Sequence, residues 1–443
     1  MEKGDRLHIV VLPWLGFSHL NPFFELSNRI AQLGHCISFV STKPVIERLA
    51  LVHSIRSPLI HLVPLPGEDI DSLEGPLMGF LEWASPAPDW ILIDFASYWA
   101  TRIAAGLGIR CALVNLIGAA PNAFMWPTMC MRSRPQPERL TGPPRWVPFA
   151  TPLAYRTHEA RQVLSQLFDV DDSGLTLGYR VWSSITESDL VAMRSCTELE
   201  PEWFDLLPQL YNKPVLALGH FPPNDSAAVG GLTKNWEEAF AWLDKQEVGS
   251  VVYVALGSEL YLSRQQLHEL ANGLELAQLP FIWALRITEE DKTDGLPDGF
   301  QNRTQGRGIV LQDWAPQVRV LAHPSVGGFL THCGWNSLVE ALQFGLSLVL
   351  LPLAYDQGLY ARLLVHKGIG AEVPRNDDDG IFTAADVAKT LRLVMVDSEG
   401  KALRDKAKEM KGVLGSQELH DQYVRKFVEY LKANRHPKMK LRE

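Results

Sequence analysis

The chain has few cysteines, and none is placed to pair locally. Cys36, Cys111, Cys130, Cys196 and Cys333 are odd in number, scattered, and form no C-x-x-C pair. That pattern excludes a disulfide framework and a zinc site and reads as reduced and intracellular. An excess of positive charge is also lacking. Lys+Arg number 42 against 51 Asp+Glu, a formal net charge of -9. A nucleic-acid partner, which needs a basic patch, is therefore not expected. Long hydrophobic runs are absent: the longest, Leu346 to Tyr355, is far short of the ~20 residues that a membrane span requires. The apolar run Ile9 to Phe17 contains Pro13 and leads at once into polar, helical sequence, so no secretory signal is read there. The expected location is cytoplasmic. No G-x-G-x-x-G follows the first strand-like segment, which removes the fingerprint of NAD binding.

What the chain does have is length and rhythm. With 443 residues, 46% hydrophobic and 21% charged, it is a globular protein too long for one ordinary core. Two domains of about 200 residues each are expected. The first half alternates compact apolar runs (Leu7 to Leu12, Cys36 to Ser41, Trp90 to Asp94, Cys111 to Leu116) with helical patterns such as Leu20 to Leu33, which stops at Gly34. Residues 132–152 are rich in proline and charge and read as an irregular excursion. Gly219 to Asn235 is the best candidate linker, by its Pro, Gly, Asn and Ser content. The rhythm then restarts at Ser250 to Leu256 and continues to an amphipathic terminal helix, Gln417 to Ala433. The predicted class is α/β. It has two Rossmann-like, doubly wound domains facing each other across a cleft, with boundaries at 1–219, 220–235 (linker), 236–415 and 416–443.

One stretch, Trp314 to Gln357, concentrates chemistry. Trp314 can offer a flat face to a base. Thr331-His332-Cys333-Gly334 is a small-residue turn that opens an amphipathic segment, Asn336 to Phe344. Free N–H groups and the macrodipole at such a helix start attract phosphate. Glu340 follows one turn into the helix, and Asp356-Gln357 closes the segment with a carboxylate and an amide. Cys333 reads as a buried small residue, not a nucleophile. His323 has a helix-end or packing role at least as readily as a ligand-binding one.

A second constellation is PWLGFSHLNP, Pro13 to Pro22. A strand ends, a loop turns, and His19 stands at the start of a helix, where a neutral imidazole can take a proton from a hydroxyl. A loop histidine by itself is more often ordinary. Asp94 ends the run PDWILID; a carboxylate at a strand's carboxyl end in a doubly wound sheet faces the crevice, although a strand-end cap is the plainer reading. Gly257-Ser258 closes another strand and is a plausible phosphate contact. Trp283 and Arg286 read as packing. Two metal patterns fail. Asp169 to Gly174 begins like a calcium loop, but its twelfth position is Arg180. Asp377-Asp378-Asp379 sits in a polar loop and reads as a solvated charge run.

The stretch Trp314 to Gln357 closely resembles the signature box of plant secondary-product glycosyltransferases, the UDP-dependent family 1 enzymes, and the resemblance runs from Leu7 to about Ala433. It implies the GT-B fold, with the amino-terminal half binding the acceptor, the carboxyl-terminal half binding the UDP-sugar, and the terminal helix returning to the first domain. It implies donor-site roles for Ser258, Trp314, Ala315, Gln317, His332, Gly334, Trp335, Asn336, Ser337, Glu340, Asp356 and Gln357. Trp314 would stack on uracil and Gln317 hold the uridine. His332, Asn336 and Ser337 would bind the diphosphate, and Glu340 the ribose. Trp335, Asp356 and Gln357 would address the sugar. His19 falls where the family has its general base and Asp94 where it has the supporting aspartate. Ser18 departs from the family's glycine: it either strains a φ > 0 position or caps the helix that follows.

PWLGF, VAMRSCTELEPEW and VVYVALGSE resemble the branch that glycosylates sugars of flavonoid, anthocyanin, steroid or terpenoid glycosides, although the stretch between Pro66 and Asp89 is short for that branch. The implied activity is inverting O-glycosyl transfer by a monomer, from UDP-glucose to such a glycoside, with no metal and no cofactor. Rhamnose as the sugar, or an aglycone as the acceptor, are the alternatives. From another class, a non-catalytic nucleotide-sugar-binding protein is disfavoured by the presence of both His19 and Asp94.

Overall fold

A computed structural model describes residues 6–52, 57–221, 232–257, 261–286 and 295–436. The chain divides into two compact units, one of Met1–Arg134, Gln166–Phe221 and Gln417–Glu443, the other of Pro135–Ser165 and Pro222–Ser416. The first contains a seven-stranded sheet of β1 (His8–Leu12), β2 (Cys36–Thr42), β3 (Ile60–Leu65), β4 (Trp90–Ile93), β5 (Arg110–Asn115), β6 (Leu190–Met193) and β7 (Val215–Ala217). Its order is β3-β2-β1-β4-β5-β6-β7, with every pair parallel. β1 is buried along its whole length, as expected of a parallel strand covered on both faces, and so reads as an unbroken apolar run. β3 escaped sequence detection because IHLVPL carries Pro64 and an irregular burial pattern, both marks of an edge strand.

The second unit repeats the plan with β8 (Val251–Ala255), β9 (Phe281–Ala284), β10 (Gly308–Leu311), β11 (Val326–Thr331), β12 (Ser347–Leu350) and β13 (Gly370–Glu372). Its order is β10-β9-β8-β11-β12-β13, again all parallel. β13 has only three residues, too few for a periodic signal. In both sheets the order runs outward in one direction from a central strand, then reverses: β1 and β4 flank the reversal in the first, β8 and β11 in the second. Ligand crevices in open α/β sheets form at this place, beyond the carboxyl ends of the strands.

The terminal helix Gln417–Ala433 belongs to the first unit. Val424, Phe427, Val428 and Leu431 enter the same core as Ile9, Phe23 and Trp90. Polar contacts fix its register. The Trp90 indole N–H donates to the Leu431 carbonyl (2.9 Å), and Arg29 reaches Asp421 and Gln417 (2.5 and 2.8 Å).

Residues 135–165, expected in the first half, instead cluster with the second unit. Long-range ion pairs are the physical reason. Glu159, from the helix Thr157–Phe168, pairs with Arg362 at 2.7 Å, and Arg156 pairs with Glu372 on β13 at 3.1 Å. The predicted linker 220–235 lies mostly outside the described residues. Its last two positions already belong to the helix Lys234–Leu243.

Candidate active site

In the first unit a candidate site grows from β1 and β4. Register pairs Leu12 with Ile93 at their carboxyl ends. After Leu12 the chain turns through Pro13–Gly16 into the helix Phe17–Gln32, which places His19 in its first turn; after Ile93 the next residue is Asp94. His19 Nδ1–H donates to Asp94 Oδ2 at 2.7 Å. Two backbone N–H groups also converge on the carboxylate, Phe95 on Oδ1 at 2.7 Å and Trp14 on Oδ2 at 3.2 Å.

A carboxylate only accepts, so the bond fixes the tautomer and leaves Nε2 as the acceptor nitrogen. Nε2 makes no hydrogen bond among the described residues. The Asp94 side chain is 2% exposed and that of His19 20%, so the base meets solvent while its support does not. Trp14 stands edge-on to the imidazole at 5.0 Å and Phe95 at 5.6 Å. A nitrogen base held in one tautomer, with two aromatic rings against it, is equipped to take a proton from a hydroxyl.

Ser18 neither strains nor caps this turn. It lies inside the helix and is not among the residues of positive φ, while the N-cap is Gly16, with no side-chain cap.

In the second unit a separate group of residues grows from β8 and β11. Thr331 ends β11, and His332-Cys333-Gly334 turns into the helix Trp335–Leu342, whose N-cap is Gly334. No side chain caps this helix. Gly257, after β8, has φ +85°, and a Cβ built there would lie 2.7 Å from His332 Nε2; one on Gly334 would lie 2.5 Å from it. Glycine at both places lets two backbone segments close on one imidazole. Burial pushes the His332 pKa down to about 4, and its Nδ1 has no hydrogen-bond partner among the described residues. The ring is therefore neutral near pH 7. Cys333 is fully buried at φ +69°, and burial pushes its thiol well up, which removes it as a nucleophile.

Around this turn the other predicted residues sort themselves. Asn336 and Ser337 follow Trp335 in the first turn of the helix, both half-buried. The Gln317 side-chain amide donates to Glu340 Oε2 (2.7 Å) and Ser337 Oγ (3.1 Å), so it orients the carboxylate. Trp314 is 68% exposed, with half-buried Ala315 beside it, and the Arg286 guanidinium sits over its ring at 4.8 Å. In the sequence Arg286 reads as packing; the cation–π pair has no local signal, because the partners lie on loops after different strands.

The Trp335 indole, expected at the sugar, is instead buried and stacked on Tyr360 at 4.5 Å. Asp356 is half-buried at the N-cap of the helix Gln357–His366. The Gln357 side-chain oxygen accepts from the Leu353 and Ala354 N–H groups, both at 2.9 Å, which leaves its NH₂ as the group able to donate to a ligand. His323 bonds to Ser325 Oγ (2.8 Å) and Asp244 (3.2 Å) and serves the structure. Ser258 lies outside the described residues.

The metal decoys resolve in physical terms. Arg180 takes the place a cation would have, pairing with Asp171 (3.2 Å) and Asp71 (2.6 Å). Asp377 pairs with Arg156 at 3.4 Å. Among the described residues no group of three His, Cys, Asp or Glu is arranged to hold a metal ion.

Comparison with known proteins gives the family. The family model described as UDP-glucoronosyl and UDP-glucosyl transferase matches residues 227–404. UDP-glycosyltransferase 91C1 of Arabidopsis thaliana is 42% identical, with 98% of each chain covered. Soyasaponin III rhamnosyltransferase of Glycine max is 37% identical, again over 98% of each. Among solved structures, a UDP-glucose:anthocyanidin 3-O-glucosyltransferase in complex with UDP superposes with a TM-score of 0.79 at 24% identity, covering 97% of this chain and 99% of that one. With this fold and this degree of likeness, the chain belongs to the plant UDP-dependent glycosyltransferases of family 1, enzymes of the GT-B fold.

Proposed function

We propose that the protein is an inverting O-glycosyltransferase that moves glucose from UDP-glucose to a sugar hydroxyl of a plant secondary-metabolite glycoside. The observation that carries this reading is the 2.7 Å bond from His19 to buried Asp94, which leaves Nε2 as the acceptor nitrogen. Nε2 takes the proton of the acceptor hydroxyl. The oxygen attacks the anomeric carbon from the face opposite the diphosphate, its new C–O bond forming as the bond to UDP breaks. Asp94 stabilises the imidazolium that results, and UDP departs with the bonding pair. An α-linked donor therefore yields a β-glycoside.

On the donor side, the uncapped start of the helix Trp335–Leu342 and the neutral His332 ring receive the negative charge of the leaving diphosphate. Glu340, oriented by Gln317, accepts from the ribose hydroxyls, and Trp314 stacks on the base. Trp335 contributes through its main chain, since its indole is stacked away on Tyr360. Asp356 and the Gln357 NH₂ address the sugar. No step draws on a metal or a cofactor, and the enzyme acts as a monomer.

A second reading, rhamnose as the donor sugar, is favoured by one finding: a relative of 37% identity is named a rhamnosyltransferase. The test is mass spectrometry of products from a panel of aglycones and their monoglucosides, offered UDP-glucose and UDP-rhamnose separately. A hexose gained on monoglucosides from UDP-glucose supports the proposal. Gain only from UDP-rhamnose, or only on aglycones, overturns that part of it.

A further inference from the structure

Behind the pair Asp356-Gln357 lies a buried ionic network that no motif announces. Glu159 comes from the helix Thr157–Phe168, far from the box in sequence, and its side chain is 7% exposed. Arg362, on the helix Gln357–His366, grips it with two nitrogens, Nη2 to Oε2 at 2.7 Å and Nη1 to Oε1 at 3.2 Å. The same Nη1 donates to the Gly358 carbonyl at 2.7 Å. Glu372 adds a second carboxylate, 3.5 Å from Arg362 and 3.1 Å from Arg156. Arg375 donates to the Pro352 and Gly380 carbonyls, so the loop that leads to Asp356 is held at its start as well.

The decisive contact is between Glu159 and Gly358, the residue after Gln357. A Cβ built on Gly358 would lie 2.6 Å from Glu159 Oε2. The carboxylate rests directly on the main chain there, and only glycine admits it. Tyr155, fully buried just ahead of Glu159, is close enough for the Asp356 charge to act on its hydroxyl. Glu159 therefore reaches the main chain at the residue after Gln357.

We infer that Glu159 is a positioning residue for the sugar end of the donor site, setting Asp356 and Gln357 through Gly358 and Arg362. The inference rests on the reading of Asp356-Gln357 as the sugar subsite. It assigns the segment 135–165 a share in donor recognition. The uridine end, served by Trp314, Gln317 and Glu340, does not depend on it. A shift of the Gly358 main chain by a few tenths of an ångström moves both sugar-facing groups and leaves the UDP contacts in place.

The test compares the KM for UDP-glucose with the Ki for UDP in the full-length enzyme, for Glu159→Gln and Gly358→Ala, with Asp356→Ala as control. The expected result is a KM for UDP-glucose raised about tenfold, the loss expected when a charge-assisted hydrogen bond is removed, with Ki for UDP within about twofold of wild type. Glu159→Asp, which keeps the charge, should recover part of the loss.

Glu159→Gln takes from Arg362 the nearer of its two carboxylates, leaving Glu372 at 3.5 Å, and can fail to fold. The double variant Glu159→Leu/Arg362→Met removes both charges and should show the same split. Folded variants in which KM and Ki stay at wild type, or move by one common factor, overturn the inference. If Asp356→Ala also leaves the split unmoved, the sugar-subsite reading itself fails. If Asp356→Ala moves it and the Glu159 variants do not, only the role of Glu159 falls.

Discussion

The turns after β1 and β4 hold a tryptophan, a histidine and a buried carboxylate. The turns after β8 and β11, at the equivalent place in the second sheet, hold glycines closed around an uncharged imidazole. Strand order is the same up to that point, so the topology sets where a site forms and the loop residues set what it does. In the first unit a full-sized side chain at each position makes an acid–base pair. In the second, absent side chains let backbone approach, and the helix start is left to receive an anion. The two histidines differ for the same reason: His19 has a carboxylate on Nδ1, whereas His332 is enclosed by glycine backbone and has no partner on Nδ1 among the described residues.

The largest effect expected from breaking this contrast is at His19. His19→Ala should lower kcat by about 10³-fold, within the 10²–10⁴ typical of a lost general base, with Ki for UDP unchanged. Steady-state kinetics with UDP as product inhibitor reads both, and loss of UDP affinity in this variant would show that His19 also serves UDP binding.

Next in size is the acid response of His332. Its folded pKa of about 4 lies below the ordinary 6.5, so the unfolded chain binds the extra proton between those values. The ring's contribution to stability is therefore complete above pH ~6.5 and is lost as pH falls through 4, about 3 kcal/mol in all. Urea unfolding at pH 7, 5 and 4 should show His332→Gln losing less stability over that range than wild type. Equal slopes would contradict the burial of an uncharged ring.

Gly257→Ala comes third. It combines a clash with His332 and a backbone at φ +85°, which costs an L-residue about 1–2 kcal/mol, so UDP should bind roughly tenfold more weakly by calorimetry. Gly334→Ala clashes with the same ring at an ordinary φ and should do less. The smallest effect is at Ser18. Because Ser18 is helical, Ser18→Gly should cost at most about 0.5 kcal/mol in thermal unfolding and leave kcat within about twofold.

Much of the site was legible because its chemistry is local. The box runs from a base-stacking indole to a sugar-facing amide along consecutive elements, and a turn of small residues opening a helix is a pattern one sequence can show. His19 and Asp94 were legible one at a time, as residues just past strand ends; their bond required knowing that β1 and β4 are neighbours. What stayed hidden is long-range. Glu159 and Arg362 are 203 positions apart, and no spacing rule joins them. The burial of the Trp335 indole depends on Tyr360, and the use of the Gln357 oxygen depends on the path of residues 353–354. Helices such as Ala119–Met129 were missed because they are buried nearly all round and contain Pro121 and Pro127, which erases the amphipathic stripe.

The proposed single displacement, driven by a hydroxyl activated at His19, inverts the anomeric carbon. Proton NMR of the anomeric signal in the product made from α-linked UDP-glucose tests it most directly. A large axial–axial coupling, the mark of a β-glucosidic bond, is the predicted result. A small coupling from an α-linked product would contradict it.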